Sequence, residues 1–255
     1  MLMEQTLEKL GAMKLKGMVD ALEQWRRRGN IKKDLDPEDL VGLLVDAEWI
    51  SRENRSLTRR LQEARFPVAA TLEDIDYQHP RGLQKAKILD LASSRWVAAH
   101  QNIIFTGPTG IGKTYLPCAI GNKACRDGYR VLFHRAPRLF SELYRARADG
   151  SYPRLIQRIS KAQVLIIDDL GSTPLEPSER RDLREVLEDR YGATSTIITS
   201  QLDPKHWHSF IGDETMADGI CDRLTHNAHS FKLAGESLRK KYGLNPPEPK
   251  PSVEN

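Results

Sequence analysis

A glycine-rich segment from Gly107 to Thr114 constrains this chain more than any other part of its sequence. It reads Gly-Pro-Thr-Gly-Ile-Gly-Lys-Thr, follows the short apolar run Ile103–Phe105, and precedes residues that favour a helix. A G-x-x-x-x-G-K-[ST] pattern between a strand and a helix is typical of a phosphate-binding loop, or P-loop. Its glycines let backbone N–H groups turn inward around a phosphate, and the positive end of the following helix faces the same oxygens. The segment therefore predicts a nucleoside triphosphate site on a strand–loop–helix unit.

Two loop side chains have predicted roles of their own. Lys113 is expected to reach the β- and γ-phosphates of ATP, and Thr114 is expected to ligate Mg²⁺. Pro117 departs from an ordinary helix, because proline lacks the N–H group and clashes with the preceding turn. We expect a kinked first turn with binding retained. The predicted nucleotide-binding residues are Gly107, Pro108, Thr109, Gly110, Ile111, Gly112, Lys113 and Thr114.

Composition excludes several classes of protein. The chain has 255 residues, of which 29% are charged, and no apolar run approaches the roughly 20 residues that span a membrane. Its three cysteines are too few and too scattered for a disulfide framework or a zinc site. The first ten residues lack the basic and apolar regions of a signal peptide. These features predict a cytoplasmic protein without a membrane partner.

The first 66 residues predict a small all-α domain. Apolar residues from Leu7 to Trp25 fall near helical spacing, and the segment Arg26–Asn30 is expected to end that helix. Asp36-Pro37 then provides an N-cap and a first helical position for a second helix, which Phe66-Pro67 is expected to end. We expect this domain to serve DNA binding or self-association. A nucleotide-binding domain is predicted over 67–243, and a disordered, proline-rich tail over 244–255.

Strands and helices alternate through the larger domain. This alternation predicts a parallel sheet covered by helices on both faces, an α/β fold. The predicted strands are 103–106, 130–134, 164–167 and 194–199, and the predicted helices are 82–95, the segment after the P-loop, 137–147, 152–160 and 178–191.

Two adjacent carboxylates follow the most apolar of these strands. Asp168 and Asp169 come directly after Val164–Ile167, at the edge where the P-loop should also lie. A carboxylate there can hold Mg²⁺ through water. We assign that role to Asp168, and we assign to Asp169 the orientation or activation of the attacking water. A strand-end turn or helix cap is the alternative for this pair.

Here the sequence resembles the AAA+ ATPases, whose matching Walker B motif usually ends Asp-Glu. Because Asp169 is one methylene shorter than glutamate, the resemblance implies slow turnover or a water-bridged geometry. In that family the strand corresponding to 194–199 ends at sensor I, which contacts the γ-phosphate or the attacking water. Gln201 is the first candidate for this role, and Thr199 is the second.

The resemblance also implies two arginine roles near the end of the chain. The segment Gly219–Asn227 resembles the region that presents an arginine finger to a neighbouring subunit, and Arg223 is the candidate. A surface ion pair between Asp222 and Arg223 is the alternative. Arg239 is the candidate for a sensor II-like contact with the nucleotide. The remaining sequence leaves little room for the C-terminal helical lid of many AAA+ proteins.

Several further strings narrow the resemblance to one family. Together they closely resemble the IstB-like helper ATPases of insertion-sequence transposition, which are related to the DnaC helicase loaders. The resemblance implies an ATP-dependent oligomer on duplex DNA that recruits or stimulates a partner transposase. The strings are Leu15-Lys-Gly-Met18, the P-loop, Leu165–Gly171, Glu188–Gly192, Thr196–Gln201 and Cys221–His229.

The basic residues of the chain concentrate in one stretch. Residues 121–161 hold ten lysines and arginines against three acidic residues. A field of this sign attracts polyanions, and contacts of this kind give affinity with little sequence information. The resemblance to the initiator-like branch of AAA+ proteins implies an additional helical insertion in this interval, so we expect duplex DNA to bind there. The candidate contacts are Arg135, Arg138, Arg145, Arg147, Arg154 and Arg158.

The sequence leaves three alternatives to a transposition helper. A helicase loader would bind a hexameric helicase and single strands. A small-molecule kinase would transfer phosphate to an acceptor and would not bind DNA. A DNA-bound scaffold would use ATP only as an assembly ligand.

Overall fold

The computed structural model describes residues 2–27 and 36–238. Contacts divide the chain between Arg59 and Arg60 into two compact units. Arg239 and the proline-rich segment 244–255 lie outside the described residues, so their predicted roles stay predictions. Among the described residues, no helix is both long enough and apolar enough to cross a membrane.

The first unit is helical. Its helices are α1 (Leu2–Ala12), α2 (Lys16–Arg27) and the greater part of α3 (Pro37–Ala64). The single helix predicted through Trp25 is wrong, because Lys14 has a φ of 62° and turns the chain between α1 and α2. The predicted start of α3 at Pro37 is confirmed, and α3 ends two residues before Phe66.

Helices α2 and α3 pack closely at Gly17. A Cβ atom there would lie 2.5 Å from the carbonyl oxygen of Ala47. The Gly17 N–H donates a 2.7 Å hydrogen bond to the buried carboxylate of Glu48, which also accepts one from Arg52 Nε. Burial alone would raise the pKa of Glu48, but the bonds from Arg52 and from the Gly17 and Met18 backbones outweigh it and lower that pKa. Only glycine permits this contact.

We predict that Gly17→Ala opens the α2–α3 contact. The added methyl group cannot fit against the α3 backbone, and overpacking of this kind costs about 1–3 kcal/mol. Gly42→Ala in α3 is the matched control, since a Cβ there meets nothing within 4 Å. Amide hydrogen exchange should accelerate in α2 and α3 of the first variant and stay equal or slow in the control. Equal protection in both variants would contradict the packing role of Gly17.

The second unit is an α/β domain. Its parallel five-stranded sheet has the order β2-β3-β4-β1-β5. The strands are β1 (Asn102–Thr106), β2 (Val131–Arg135), β3 (Val164–Leu170), β4 (Ser195–Ser200) and β5 (Ala228–Lys232). The helices are α4 (Lys85–Leu91), α5 (Arg95–Ala98), α6 (Tyr115–Arg126), α7 (Ala136–Asp149), α8 (Tyr152–Ser160), α9 (Pro177–Arg190), α10 (Trp207–Ile211) and α11 (Glu214–Thr225).

Alternate side chains of β3 explain why helices cover both faces of the sheet. Leu165 and Ile167 belong to the buried cluster formed with α7 to α11. Ile166 points the other way, and its Cδ1 atom lies 3.0 Å from the position of a Cβ atom on Gly121 of α6. Successive residues of a strand point to opposite faces, so one apolar strand serves both layers. The predicted α/β sheet flanked by helices is confirmed.

The structure corrects several predicted elements. The helix predicted over 82–95 is two helices, because Ser94 has a φ of 53° and breaks the run before α5. Pro117 lies in the first turn of an unbroken α6, where N–H groups have no partner within the helix, so the missing N–H removes no intrahelical bond. Sequence analysis predicted none of α10, α11 and β5. Strand β5 is short and mostly half-buried or exposed, so its alternation of apolar and polar residues is a weak signal of a strand.

A buried arginine fastens the amino edge of the sheet. Arg190, at the end of α9, is 1% exposed and donates hydrogen bonds to the carbonyls of Ile159, Ala162 and Ser195 and to the hydroxyl of Thr196. Burial lowers its pKa to about 9, so it is still cationic at neutral pH. These bonds connect α8, α9 and β4. Arg190, in the middle of the Glu188–Gly192 string, therefore has a structural role.

Candidate nucleotide site

The candidate site lies where three neighbouring strands end. In a parallel sheet all carboxyl ends share one edge, and the order β3-β4-β1 brings the Walker B strand and the P-loop strand to either side of β4. The P-loop follows β1, Asp168 and Asp169 are within β3, and Gln201 follows β4. The predicted site residues therefore converge although they are far apart in the sequence.

The P-loop folds around the ammonium group of Lys113. Its Nζ atom donates 2.7 Å hydrogen bonds to the carbonyls of Gly107 and Pro108, and the residue is 8% exposed. Gly107 has a φ of 145°, and a Cβ atom there would lie 2.3 Å from the carbonyl oxygen of Leu233. Glycine is therefore required where the loop leaves β1. The lysine charge sits at the centre of the loop, where a phosphate chain would be held.

A chain of hydrogen bonds joins the P-loop to β3 and β4 through Asp168 and Thr199. The Thr114 hydroxyl lies 3.2 and 3.1 Å from the two carboxylate oxygens of Asp168. The Thr199 hydroxyl of β4 donates to Asp168 Oδ1 at 2.7 Å and accepts from the Asp169 N–H at 2.8 Å. Thr199 therefore binds the Asp168 carboxylate and the Asp169 backbone at once, which its position on the neighbouring strand β4 makes possible.

Asp169 has an unusual backbone conformation. Its φ is 61°, in the left-handed region, and the pairing of β3 with β4 shifts between Ile167 and Leu170. Bulges and positive φ angles at non-glycine residues concentrate at functional sites. The Gln201 side-chain amide lies 3.4 Å from Asp169 Oδ1. The strand thus presents Asp169 toward Gln201 while Asp168 stays buried.

The electrostatics of Asp168 suit a cation ligand. The residue is 2% exposed, and burial raises the pKa of its carboxyl group. Hydrogen bonds from Thr199 and Thr114 oppose that shift, the nearby Asp169 adds to it, and Arg135 opposes it. Hydrogen bonds stabilise the charge of this buried carboxylate only in part, so a metal cation beside it would stabilise it further.

The chain offers what Mg²⁺ and a triphosphate need. The Thr114 hydroxyl and the Asp168 carboxylate converge within 3.2 Å, and both are hard oxygen donors of the kind Mg²⁺ prefers. The loop supplies Lys113 and inward-turning backbone at the N-terminus of α6. Thr114 and Asp168 would hold the cation, and the loop would hold the phosphates.

Sequence analysis missed Arg81, which supports the loop from outside. Arg81 is 2% exposed, and its Nη1 donates a 3.0 Å hydrogen bond to the carbonyl of Ile111. Its Nη2 donates to the carbonyl of Asp76, and a Cβ atom on Gly112 would lie 2.5 Å from Arg81 Nη1. The sequence carries no signal for this role beyond an arginine between Pro80 and Gly82, because its partners are backbone atoms.

Arg223 does not join the site of its own chain. Its backbone carbonyl accepts a 2.9 Å hydrogen bond from Asn102, the first residue of β1, whereas the P-loop follows the last. Five strand residues span roughly 16 Å, more than an arginine side chain can cover. The guanidinium binds Glu188 at 3.0 Å and the Gly219 carbonyl at 2.8 Å. The alternative ion pair with Asp222 does not form, since Glu188 takes that place.

The candidate DNA arginines fall into distinct environments. Arg147 donates to the buried carboxylate of Asp182, which also accepts a 3.1 Å hydrogen bond from Tyr152. Arg158 is half-buried, and Arg135 lies 4.0 Å from Asp168. Arg138, Arg145 and Arg154 are exposed on α7 and α8, and no described residue forms an ion pair with them.

A family model decides the relationship of this chain. The model described as IstB-like ATP binding protein matches residues 8–245. The chain belongs to this family. It is 48% identical over 240 residues to the insertion sequence ATP-binding protein y4pL of Sinorhizobium fredii, covering 94% of this chain and 98% of that protein. The predicted family is confirmed, and with it the predicted AAA+ fold.

Two solved structures show the same fold. The DnaC helicase loader matches with a TM-score of 0.54 and 20% identity, over 64% of this chain and 96% of that one. The replication initiator DnaA, bound to AMPPCP and single-stranded DNA, matches with a TM-score of 0.58 and 17% identity, over 70% of this chain and 54% of that one. At these identities the likeness concerns the fold alone.

We predict that Arg81→Lys weakens nucleotide binding about tenfold or more. Arg81 reaches Ile111 and Asp76 from two separate nitrogens of one rigid guanidinium, and a lysine ammonium cannot reproduce that fork. A hydrogen bond from a charged group contributes about 1.5–3 kcal/mol. Arg95→Lys is the matched control, on a side chain that is 81% exposed. Titration of a fluorescent ATP analogue measures both dissociation constants. Wild-type affinity in a folded Arg81→Lys protein would exclude the supporting role.

Proposed function

We propose that this protein is a Mg²⁺-dependent ATPase that assembles on duplex DNA and recruits or stimulates a partner transposase. The convergence of Lys113, Thr114, Asp168 and Asp169 at one sheet edge carries the proposal of ATP hydrolysis. Membership of the IstB-like family, and the insertion-sequence origin in the name of its relative, support the link to transposition.

The residues divide the work of hydrolysis among them. Bound Mg²⁺ supplies a positive charge at the β- and γ-phosphates. Lys113 adds its own charge inside the loop, while Thr114 and Asp168 orient the cation. Asp169, presented by the bulge in β3, orients or deprotonates the attacking water, and Gln201 lies beside it to position water or the γ-phosphate. Thr199 holds the Asp168 carboxylate and the backbone of Asp169 in place.

A neighbouring subunit completes this site in the proposal. Arg223 cannot reach its own P-loop, but an arginine supplied between chains can stabilise the charge that develops on the γ-phosphate. Its planar guanidinium suits phosphate oxygens, and Glu188 and Gly219 hold it until a second chain docks. ATP hydrolysis would then depend on assembly.

The exposed arginines of α7 and α8 form the proposed duplex-binding surface. Arg138, Arg145 and Arg154 are exposed and form no ion pair with any residue that the structure describes, so we infer that their charges are available to phosphates. Arg147 is left out, because Asp182 neutralises it and Tyr152 stacks 3.7 Å from its guanidinium carbon. A helicase-loading function has no observation in its favour beyond the shared fold.

We predict that two inactive variants restore each other. Arg223→Ala keeps an intact P-loop, whereas Lys113→Ala keeps an intact Arg223, so a mixture forms some interfaces with both. ATP hydrolysis by each variant alone should fall by about a thousandfold, the scale of a lost arginine finger, and mixing should recover part of it.

Arg184→Ala is the control for this experiment, because Arg184 also pairs with Glu188 but lies in α9. It should hydrolyse ATP like the wild type. Normal hydrolysis by Arg223→Ala, or a mixture no more active than its parts, would rule out the shared site.

We predict that changing Arg138, Arg145 and Arg154 together to alanine weakens duplex binding and flattens its salt dependence. Each lost phosphate contact should reduce the slope of log K against log salt by about 0.9. Fluorescence anisotropy with a labelled duplex at several salt concentrations gives this slope. Arg95→Ala, an exposed arginine that precedes β1, is the control. An unchanged slope in the triple variant would place the duplex elsewhere.

A further inference from the structure

Arg135 lies between the candidate nucleotide site and the proposed duplex-binding surface. It is the last residue of β2 and immediately precedes α7, the first helix of the proposed duplex-binding surface. In the parallel pairing of β2 with β3 it lies directly opposite Asp168. Side chains opposite one another in a sheet leave the same face, so the guanidinium and the carboxylate are neighbours by construction.

The contact between them is long and asymmetric. Arg135 Nε lies 4.0 Å from Asp168 Oδ2, and the arginine side chain is 54% exposed whereas the aspartate side chain is 3% exposed. The carboxylate is held from the other sides by Thr114 and Thr199. Arg135 is therefore the solvent-exposed partner, and Asp168 is the buried one.

Mg²⁺ and the Arg135 guanidinium would compete for the Asp168 carboxylate. Asp168 is the proposed Mg²⁺ ligand, and a guanidinium 4.0 Å away opposes a second positive charge at that place. Arg138 lies about one helical turn further along α7, so a duplex held there would bring phosphates near Arg135. Arg135 can then exchange the carboxylate for a phosphate.

We propose that Arg135 is a coupling residue that competes with Mg²⁺ for Asp168 in the absence of DNA and is withdrawn by a duplex bound to α7. This inference rests on the proposed function and names its regulation. Linkage makes the effect reciprocal: the duplex raises the affinity for Mg²⁺-nucleotide by the factor by which Mg²⁺-nucleotide raises the affinity for the duplex.

The test is a Mg²⁺ titration of nucleotide binding, with and without duplex. A fluorescent nonhydrolysable ATP analogue reports binding, and short duplexes with protein kept at monomeric concentration separate this coupling from assembly. In the wild type the duplex should lower the half-saturating Mg²⁺ concentration about fivefold or more. In Arg135→Gln it should be that low already without DNA, and the duplex should not lower it further.

Two further variants make the result specific. Arg135→Lys keeps the charge and should restore a shift on adding duplex. Arg130→Gln, at the residue that immediately precedes β2, should titrate like the wild type. Arg135 forms no side-chain cap on α7, so its loss removes no capping bond, and thermal unfolding checks that each variant is folded.

The outcomes separate this inference from the proposed function. A wild-type Mg²⁺ midpoint for Arg135→Gln without DNA, or a full duplex shift in that variant, would overturn the coupling role. Duplex affinity, measured on the same samples, tests DNA binding independently. If the wild type binds no duplex, the proposed function fails, while the titrations without DNA still decide whether Arg135 opposes Mg²⁺.

Discussion

The buried carboxylate of Asp168 is the point on which the site depends. It accepts hydrogen bonds from Thr114 on the P-loop and from Thr199 on β4, and it faces Arg135 on β2. The P-loop and the strands β2, β3 and β4 thus meet at one group that is 2% exposed. Because burying a charge is costly without partners, these contacts together stabilise the carboxylate, and a change at any one of them affects the others.

The two edges of the sheet carry different functional groups, and they lie one strand length apart. Its carboxyl edge gathers the P-loop, both carboxylates and Gln201, while its amino edge holds Arg190 and the backbone of Arg223. A single chain therefore presents a phosphate site at one edge and an arginine at the other. In the proposed function, this separation is what makes a second subunit necessary.

Arginines of similar appearance in the sequence have different roles in the structure. Arg190 and Arg81 are buried and bind backbone carbonyls, and Arg147 neutralises Asp182. Arg138 is exposed on α7. A count of charges along the chain located the basic stretch around α7 and α8 but could not tell these roles apart, because burial and partners come from residues distant in sequence.

By itself the sequence determined the P-loop, the carboxylate pair, the α/β class and the family, because each depends on local pattern: glycine spacing, apolar runs and alternating periods. Tertiary structure alone decided that Thr199 binds the Asp168 carboxylate and the Asp169 backbone, that Arg81 supports the loop, and that Arg135 faces Asp168. It also showed that Gly17 is needed for close helix contact and that β5 completes the sheet. The physical reason is that strand order and register bring together residues tens of positions apart, and no local periodicity records which strands become neighbours.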